Sequence, residues 1–149
     1  MRRATLVLAL ALALAALAGC GGSTEPLTHD EYVAKADEIC AEYNAKFEDV
    51  LGGLTEQSSD AARNDALEKY VSHYGDMADD VSELEPPESD RVLAQFVDRL
   101  KRNARGFEEA ADKGELMSDT SGNRAYNSLK EARTLTEQAG LGACSEANS

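Results

Sequence analysis

The chain has 149 residues, with 28 Asp+Glu against 15 Lys+Arg, a net charge of −13 and no tryptophan. This length suits one domain and excludes a two-domain enzyme or a barrel. The acidic balance argues against a nucleic-acid-binding protein, because too few cations are present to neutralise phosphates along an extended surface.

Residues 1–19 predict a lipoprotein signal peptide. Arg2 and Arg3 precede an apolar run over residues 5–18, which is too short to cross about 30 Å of hydrocarbon comfortably as a helix. The run ends in small residues and a cysteine, an order that resembles the bacterial lipobox. An ordinary signal peptide with a chance cysteine is the alternative. We therefore expect lipidation, including palmitate, at Cys20 and a location on the extracytoplasmic face of the cell membrane.

Residues 20–27 predict a flexible tether that begins with Gly21, Gly22 and Ser23. Acyl chains at its start would supply the membrane affinity. Removal of residues 1–19 takes away two bases and no acids, so the remaining 130 residues carry a charge of −15. Because only 21 of these 130 are Leu, Ile, Val or Phe, composition alone would also suit a disordered chain.

Patterning favours a folded, helical domain. Apolar residues recur every three or four positions along four segments. The first segment opens with a capping box at residues 28–31 and ends at residues 52–53. The second begins near residues 58–60 and stops before the prolines at 86–87, and the third opens at residues 88–90. The stripes predicted to be buried in the second and third segments are Leu67, Tyr70, Tyr74, Met77, Val81 and Leu84, and Leu93, Phe96, Leu100, Ala104, Phe107 and Ala111.

A predicted loop at Gly114 and residues 118–122 precedes the fourth segment, which ends at a C-cap over residues 140–142. Short connections place consecutive helices antiparallel, so residues 28–149 predict an all-α fold, an up-down-up-down four-helix bundle. Its core would be thin, with much alanine on the fourth helix. A three-helix arrangement with a loose fourth segment is the alternative.

Cys40 and Cys144 remain after Cys20 is assigned to the lipobox. An even pair in an exported domain favours a disulfide, because the compartment is oxidising. In the predicted bundle the end of the fourth helix lies near the start of the first, so the bridge would clamp the tail onto the bundle. A buried free thiol at Cys40 and an intermolecular bridge through Cys144 are the alternatives.

Charge is distributed unevenly along the chain. Residues 25–88 carry a net charge of −14, whereas residues 89–149 carry −1. The third helix holds several bases, which are Arg91, Arg99, Lys101, Arg102 and Arg105. One interpretation is a basic patch that binds anionic lipid or a protein partner. The alternative is that these bases lie beside the acids of the first two helices and offset their repulsion. Exposed ion pairs of that kind contribute little to stability.

Catalytic and metal-binding motifs do not occur in the sequence. His29 and His73 lack the glutamate three residues earlier that a di-iron helix pair requires, and no Gly-x-Ser-x-Gly elbow or phosphate-binding glycine motif is present. We predict no catalytic residue, no metal and no cofactor. Tyr70, His73 and Tyr74 are the candidate contacts for a ligand held between helices, with ordinary packing as the alternative.

Three motifs follow the lipobox in order. They are a Thr-x-x-Glu-Tyr helix start at residues 28–32 with Cys40 after it, a Pro-Pro segment at 81–87, and Gly-Leu-x-x-Cys at 140–144. Their combination resembles a widespread set of small actinobacterial lipoproteins. Those proteins have leucine at the first position of the Pro-Pro segment, where this chain has Val81. The resemblance covers most of the chain after Cys20. It implies a helical envelope lipoprotein with paired cysteines and implies no known activity.

Two functions are compatible with these features. The first is a non-enzymatic, lipid-anchored interaction or scaffold module that binds an unidentified envelope protein. The alternative is an extracytoplasmic carrier for an apolar or haem-like small molecule. A closed core without a pocket between helices would exclude the carrier, whereas a co-purifying small-molecule ligand would contradict the scaffold.

Overall fold

The computed structural model describes residues 26–116 and 119–148. These residues form helices and connecting turns and contain no strand, which confirms the all-α prediction. The helices are α1 (His29–Gly52), α2 (Asp60–Glu83), α3 (Arg91–Asp112), α4 (Asp119–Ala139) and α5 (Gly142–Ala147). The predicted signal peptide, the lipidation site Cys20 and most of the tether lie outside the described residues.

The predicted capping box starts α1. The Thr28 hydroxyl accepts a hydrogen bond from the Glu31 backbone N–H at 3.3 Å, and the Glu31 carboxylate accepts one from the Thr28 backbone N–H at 2.9 Å. These bonds satisfy donors that the start of a helix otherwise leaves free. The hydrogen bonds with Thr28 also hold the pKa of Glu31 below its ordinary value.

Polar caps start α2 and α3 near the predicted positions. The Ser59 hydroxyl accepts a bond from a backbone N–H of the first turn of α2 at 3.2 Å. The Asp90 carboxylate accepts bonds from the backbone N–H groups of Val92 and Leu93 at 3.1 and 3.0 Å. Asp90 also contacts Nδ1 of His29 at 2.6 Å, which ties the start of α1 to the start of α3.

α4 begins earlier than predicted. The sequence predicts a loop over residues 118–122, but the helix starts at Asp119. The prediction was wrong because Asp, Ser and Thr favour the first turn of a helix as well as loops. Composition alone therefore does not distinguish a loop from the first turn of a helix over these residues.

α4 ends at the predicted C-cap. Gly140 has a φ of +77°, a left-handed conformation that favours glycine. The Leu141 backbone N–H donates to the Thr136 carbonyl at 2.9 Å, as in a Schellman motif, and the Leu141 side chain is buried. The sequence missed the next element, α5, a short helix with no side-chain cap from the residue before it.

Each long helix packs on the next one in the chain, and α5 packs on both α1 and α4. Among the side chains that the structure describes, most of the fully buried ones come from the first halves of α1 and α3, the second halves of α2 and α4, and α5. We call this region the closed half. Its buried side chains include Tyr32, Ala36, Tyr74, Met77, Val81, Leu93, Phe96, Leu100, Ala139 and Leu141. α5 thus adds a cover to the helical bundle that four long helices alone do not provide.

Candidate binding cleft

Cys40 and Cys144, the predicted pair, form a disulfide with a Cα–Cα distance of 5.0 Å and a sequence separation of 104. Both residues are fully buried. In this structure Cys40 is therefore not a free thiol, and Cys144 does not bridge to another molecule. The bond fastens α5 to the middle of α1 rather than to its start.

Asp37 supplies the cap that α5 lacks locally. Its carboxylate accepts hydrogen bonds from the backbone N–H groups of Gly142 and Cys144 at 3.0 and 3.2 Å. A carboxylate is favourable at a helix start because it meets free N–H groups and the positive end of the helix dipole. Asn44, also on α1, donates from Nδ2 to the Ala143 carbonyl at 3.0 Å. We call α5, the disulfide and these α1 contacts the clamp.

A chain of buried polar groups runs from the clamp across the bundle. The Tyr74 hydroxyl donates to Oδ1 of Asn148 at 2.7 Å and accepts from Nδ2 of Asn103 at 3.3 Å. Oδ1 of Asn103 accepts from the Ser128 hydroxyl. Burial raises the pKa of Tyr74 above its ordinary value, so its hydroxyl keeps the proton that it donates. These bonds connect α2, α3, α4 and the end of α5.

Beside the closed half, a cleft of about 440 Å³ lies between the first half of α2, the second half of α3 and the first half of α4. We call it the cleft. Its volume falls within the range of about 300–1,000 Å³ that is typical of small-molecule sites. Its half-buried apolar lining includes Leu67, Tyr70, Phe107, Ala110 and Leu129. The bundle therefore contains a concave apolar surface as well as a closed core.

The three predicted ligand contacts occupy different places. Tyr70 lines the cleft, and its ring packs on Phe47 with a centroid distance of 4.7 Å. Tyr74 is fully buried in the closed half. His73 is half-buried, and among the described residues neither His73 nor His29 lines the cleft. The cleft therefore offers a haem-like ligand no histidine from this part of the chain.

Charged side chains also line the cleft. Among the described residues these are Arg102, Glu109, Lys113, Glu115 and Arg124. Three bases against two acids give this lining a charge of +1, in a chain whose net charge is −13. The cleft is therefore less acidic than the molecule around it.

Gly106 leaves part of the cleft empty. A Cβ atom placed at Gly106 would meet no heavy atom within 4 Å, although the residue lies within α3 and lines the cleft. A Cβ atom at this position would therefore stand in open space beside the cleft lining. A more open groove of about 680 Å³ shares Leu51 and Tyr70 with the cleft, and Leu51 is 42% exposed.

Within residues 26–116 and 119–148, no group of three or more His, Cys, Asp or Glu side chains is placed to hold a metal ion. None of the helices in these ranges is both long and apolar enough to span a bilayer.

Sequence reasoning found Tyr70 but missed most of the cleft. The stripe spacing places Phe107 in the core, because periodicity identifies the inward face of a helix and not the depth of burial. Gly106 was the available signal, since an isolated glycine inside a helical pattern often marks a packing or functional requirement. The buried polar side chain of Asn103 on the same helix gave no comparable signal in the sequence.

No family model, no curated protein and no solved structure matches this chain. The likeness to small actinobacterial lipoproteins therefore rests on the three sequence motifs.

Proposed function

We propose that the protein is a non-enzymatic, extracytoplasmic binding protein that carries a small apolar molecule in the cleft. The observation that supports this most strongly is the cleft of about 440 Å³, with half-buried Leu67, Phe107 and Leu129 on its walls. A ligand there would remove apolar surface from water, which is favourable by about 25 cal/mol per Å². An apolar ligand is preferred over a haem-like one, because the cleft residues described include no histidine.

An up-down-up-down order of the four long helices belongs to this proposal. It is supported by the packing of each long helix on the next and by the composition of the closed half. When neighbouring helices run antiparallel, the first half of one helix lies beside the second half of the next. The closed half combines the first halves of α1 and α3 with the second halves of α2 and α4, as this order requires. In that order the cleft occupies the end of the bundle opposite the closed half.

A lipid anchor at Cys20 would place this carrier at the membrane surface, where apolar small molecules concentrate. Two acyl chains give stable anchoring where one does not. We expect the Cys20→Ala variant of the full chain to move from the membrane fraction to the soluble fraction and to lose palmitate labelling. Unchanged membrane association of that variant would contradict the anchor.

An interaction module for an unidentified envelope protein is the second proposal. It is favoured by Leu51, which is 42% exposed and lies where the cleft and the open groove share their lining. Contiguous exposed apolar surface, to which Leu51 contributes at this edge, is typical of contact surfaces. The carrier ranks first because the cleft is more enclosed than the groove.

A neutral apolar dye, N-phenyl-1-naphthylamine, tests the carrier function through its fluorescence. The protein is the exported full chain with Cys20→Ala, so that neither acyl chains nor detergent compete for the cleft. We expect saturable binding by this protein and loss of binding in a Gly106→Leu variant, because the leucine fills the cleft. The matched control is Ala94→Leu, which places the same side chain at an exposed position of α3 outside the cleft.

Retention of dye binding by Ala94→Leu and its loss in Gly106→Leu would support the carrier. Absence of saturable binding, or equal binding by both variants, would contradict it. Circular dichroism of the variants verifies that both remain helical.

A further inference from the structure

We propose that the cleft binds a single-chain amphiphile with an anionic headgroup, an inference that rests on the proposed carrier function and specifies its ligand class. The alkyl chain lies on the apolar wall that includes Tyr70, Phe107 and Leu129. The headgroup pairs with one of the bases that line the same cleft, Arg102, Lys113 or Arg124.

The charge of the cleft favours an anionic ligand over a cationic one. The described residues that line the cleft include three bases and two acids. All five belong to residues 89–149, which carry −1, against −14 for residues 25–88. The bases come from both sides of the cleft, Arg102 and Lys113 from the α3 side and Arg124 from α4. An amphiphile with a positive headgroup would meet repulsion from these three bases, and among the described cleft residues it would find two acids, Glu109 and Glu115.

Two of the three bases are only loosely held by carboxylates of the protein. Nη1 of Arg102 lies 3.6 Å from Asp98, and Nζ of Lys113 lies 3.9 Å from Glu109. Charge-assisted hydrogen bonds are shorter, about 2.7–2.9 Å. The side chains of Arg102 and Lys113 are 50% and 61% exposed, so each pair contributes little and an anionic oxygen of a ligand can replace it.

The positions of the bases suit a linear ligand. Arg102 lies on α3, and Lys113 is the residue that directly follows this helix; both line the cleft. About three helical turns separate them, a distance of about 16 Å at 1.5 Å per residue. Phe107 and Gly106 lie between them. An alkyl chain that follows α3 therefore passes over apolar surface and meets a base at either end.

Displacement of the dye by dodecanoate, dodecanol and dodecylamine tests this inference, with the same exported Cys20→Ala protein. We expect dodecanoate to bind about tenfold more tightly than dodecanol, as one hydrogen bond to a charged group provides, and dodecylamine to bind no better than dodecanol. Acetate, which has the charge without the tail, should not displace the dye. High salt should weaken dodecanoate and leave dodecanol unchanged.

Charge variants locate the headgroup. Combined Arg102→Gln, Lys113→Gln and Arg124→Gln should abolish the preference for dodecanoate while dodecanol still binds. Arg105→Gln is the matched control, because Arg105 is exposed on the same helix but does not line the cleft. Should the triple variant fail to fold, the salt dependence measured on the protein without these substitutions decides the same question.

The outcomes separate the two proposals. Dye binding with equal affinity for dodecanoate and dodecanol overturns the anionic ligand and leaves the carrier standing, as does a preference for dodecylamine or a preference that survives the triple variant. Dye that never binds in a saturable way overturns the carrier itself.

Discussion

The two halves of this bundle use the same helices and the same residue types to different effect. Phe96 and Phe107 lie on one face of α3, yet Phe96 is fully buried in the closed half whereas Phe107 is half-buried on the wall of the cleft. The clamp accounts for part of the difference, because its Cys144 and the adjoining Leu141 join the core in the closed half. A stripe of apolar residues thus becomes a core where a further element covers it and a cleft wall where none of the described elements does.

Among the changes that test the difference between the closed half and the cleft, removal of the disulfide should cause the largest loss of stability. We expect the paired substitution Cys40→Ala and Cys144→Ala to lower the free energy of unfolding by about 4–5 kcal/mol, because the bond closes a loop with a separation of 104 residues. Hydrogen exchange should accelerate in α5 first. Chemical denaturation measures the loss, and a change below about 1 kcal/mol would mean that the clamp is not the main restraint on the closed half.

Truncation of the two phenylalanines compares the halves directly. Phe96→Ala should destabilise by about 3–5 kcal/mol, because it leaves a cavity in a closed core. Phe107→Ala should cost about 1–2 kcal/mol, since its ring is half-exposed and packs edge-on against Tyr74 at 5.1 Å. Equal losses in thermal or urea unfolding would remove the distinction between core and cleft wall.

Deletion of one hydroxyl tests the buried polar chain. Tyr74→Phe should cost about 1–3 kcal/mol, because Oδ1 of buried Asn148 loses the hydroxyl that donates to it. The matched control is Tyr43→Phe, whose hydroxyl donates to exposed Asp80 at 2.8 Å and whose loss water can compensate. Urea unfolding should give Tyr74→Phe a clearly lower free energy of unfolding than Tyr43→Phe. The reverse order is incompatible with a stabilising polar chain.

The smallest expected loss of stability comes from removal of the side chains that cap α2 and α3, and for Asp90 this loss depends on pH. The hydrogen bond from the Leu93 N–H, followed by the His29 contact, lowers the pKa of Asp90 below 3.8. The stability that this carboxylate contributes is therefore present above pH 3.8 and is lost as the pH falls through the lower pKa of the folded state. Asp90→Ala should cost about 1 kcal/mol at pH 7, and the difference from wild type should shrink in acid.

Ser59→Ala is the control for this pH dependence. Its hydroxyl caps α2 and does not titrate, so its loss should cost about 1 kcal/mol with no trend between pH 7 and acid. A series of unfolding curves from neutral to acid pH distinguishes the two variants. Parallel curves for both would show that the charge of Asp90 makes no contribution.

Most of the fold was predictable because it follows from local signals. The capping box at Thr28, the Asp90 cap and the Gly140 C-cap each act within a few residues, so the sequence shows them directly. α5 was not predictable in this way. Its cap comes from Asp37, more than one hundred positions earlier, and its attachment depends on a disulfide that spans the bundle.

The site was predictable only in part, for a related reason. Helical periodicity shows that Tyr70 and Tyr74 face inward, but both positions satisfy the same pattern. Tertiary contacts decide that Tyr74 joins a buried polar chain and that Tyr70 lines the cleft. Depth of burial depends on which neighbours cover a residue, and a single stripe does not contain that information.

Amide chemical shifts recorded during a titration with dodecanoate test the central distinction most directly. With the exported Cys20→Ala protein, we expect the largest changes at Tyr70, Gly106, Phe107 and Leu129, and almost none at Ala36 or Leu93 in the closed half. Shifts centred on the closed half, or no saturable shift at any cleft residue, would contradict a bundle with one closed half and one binding cleft.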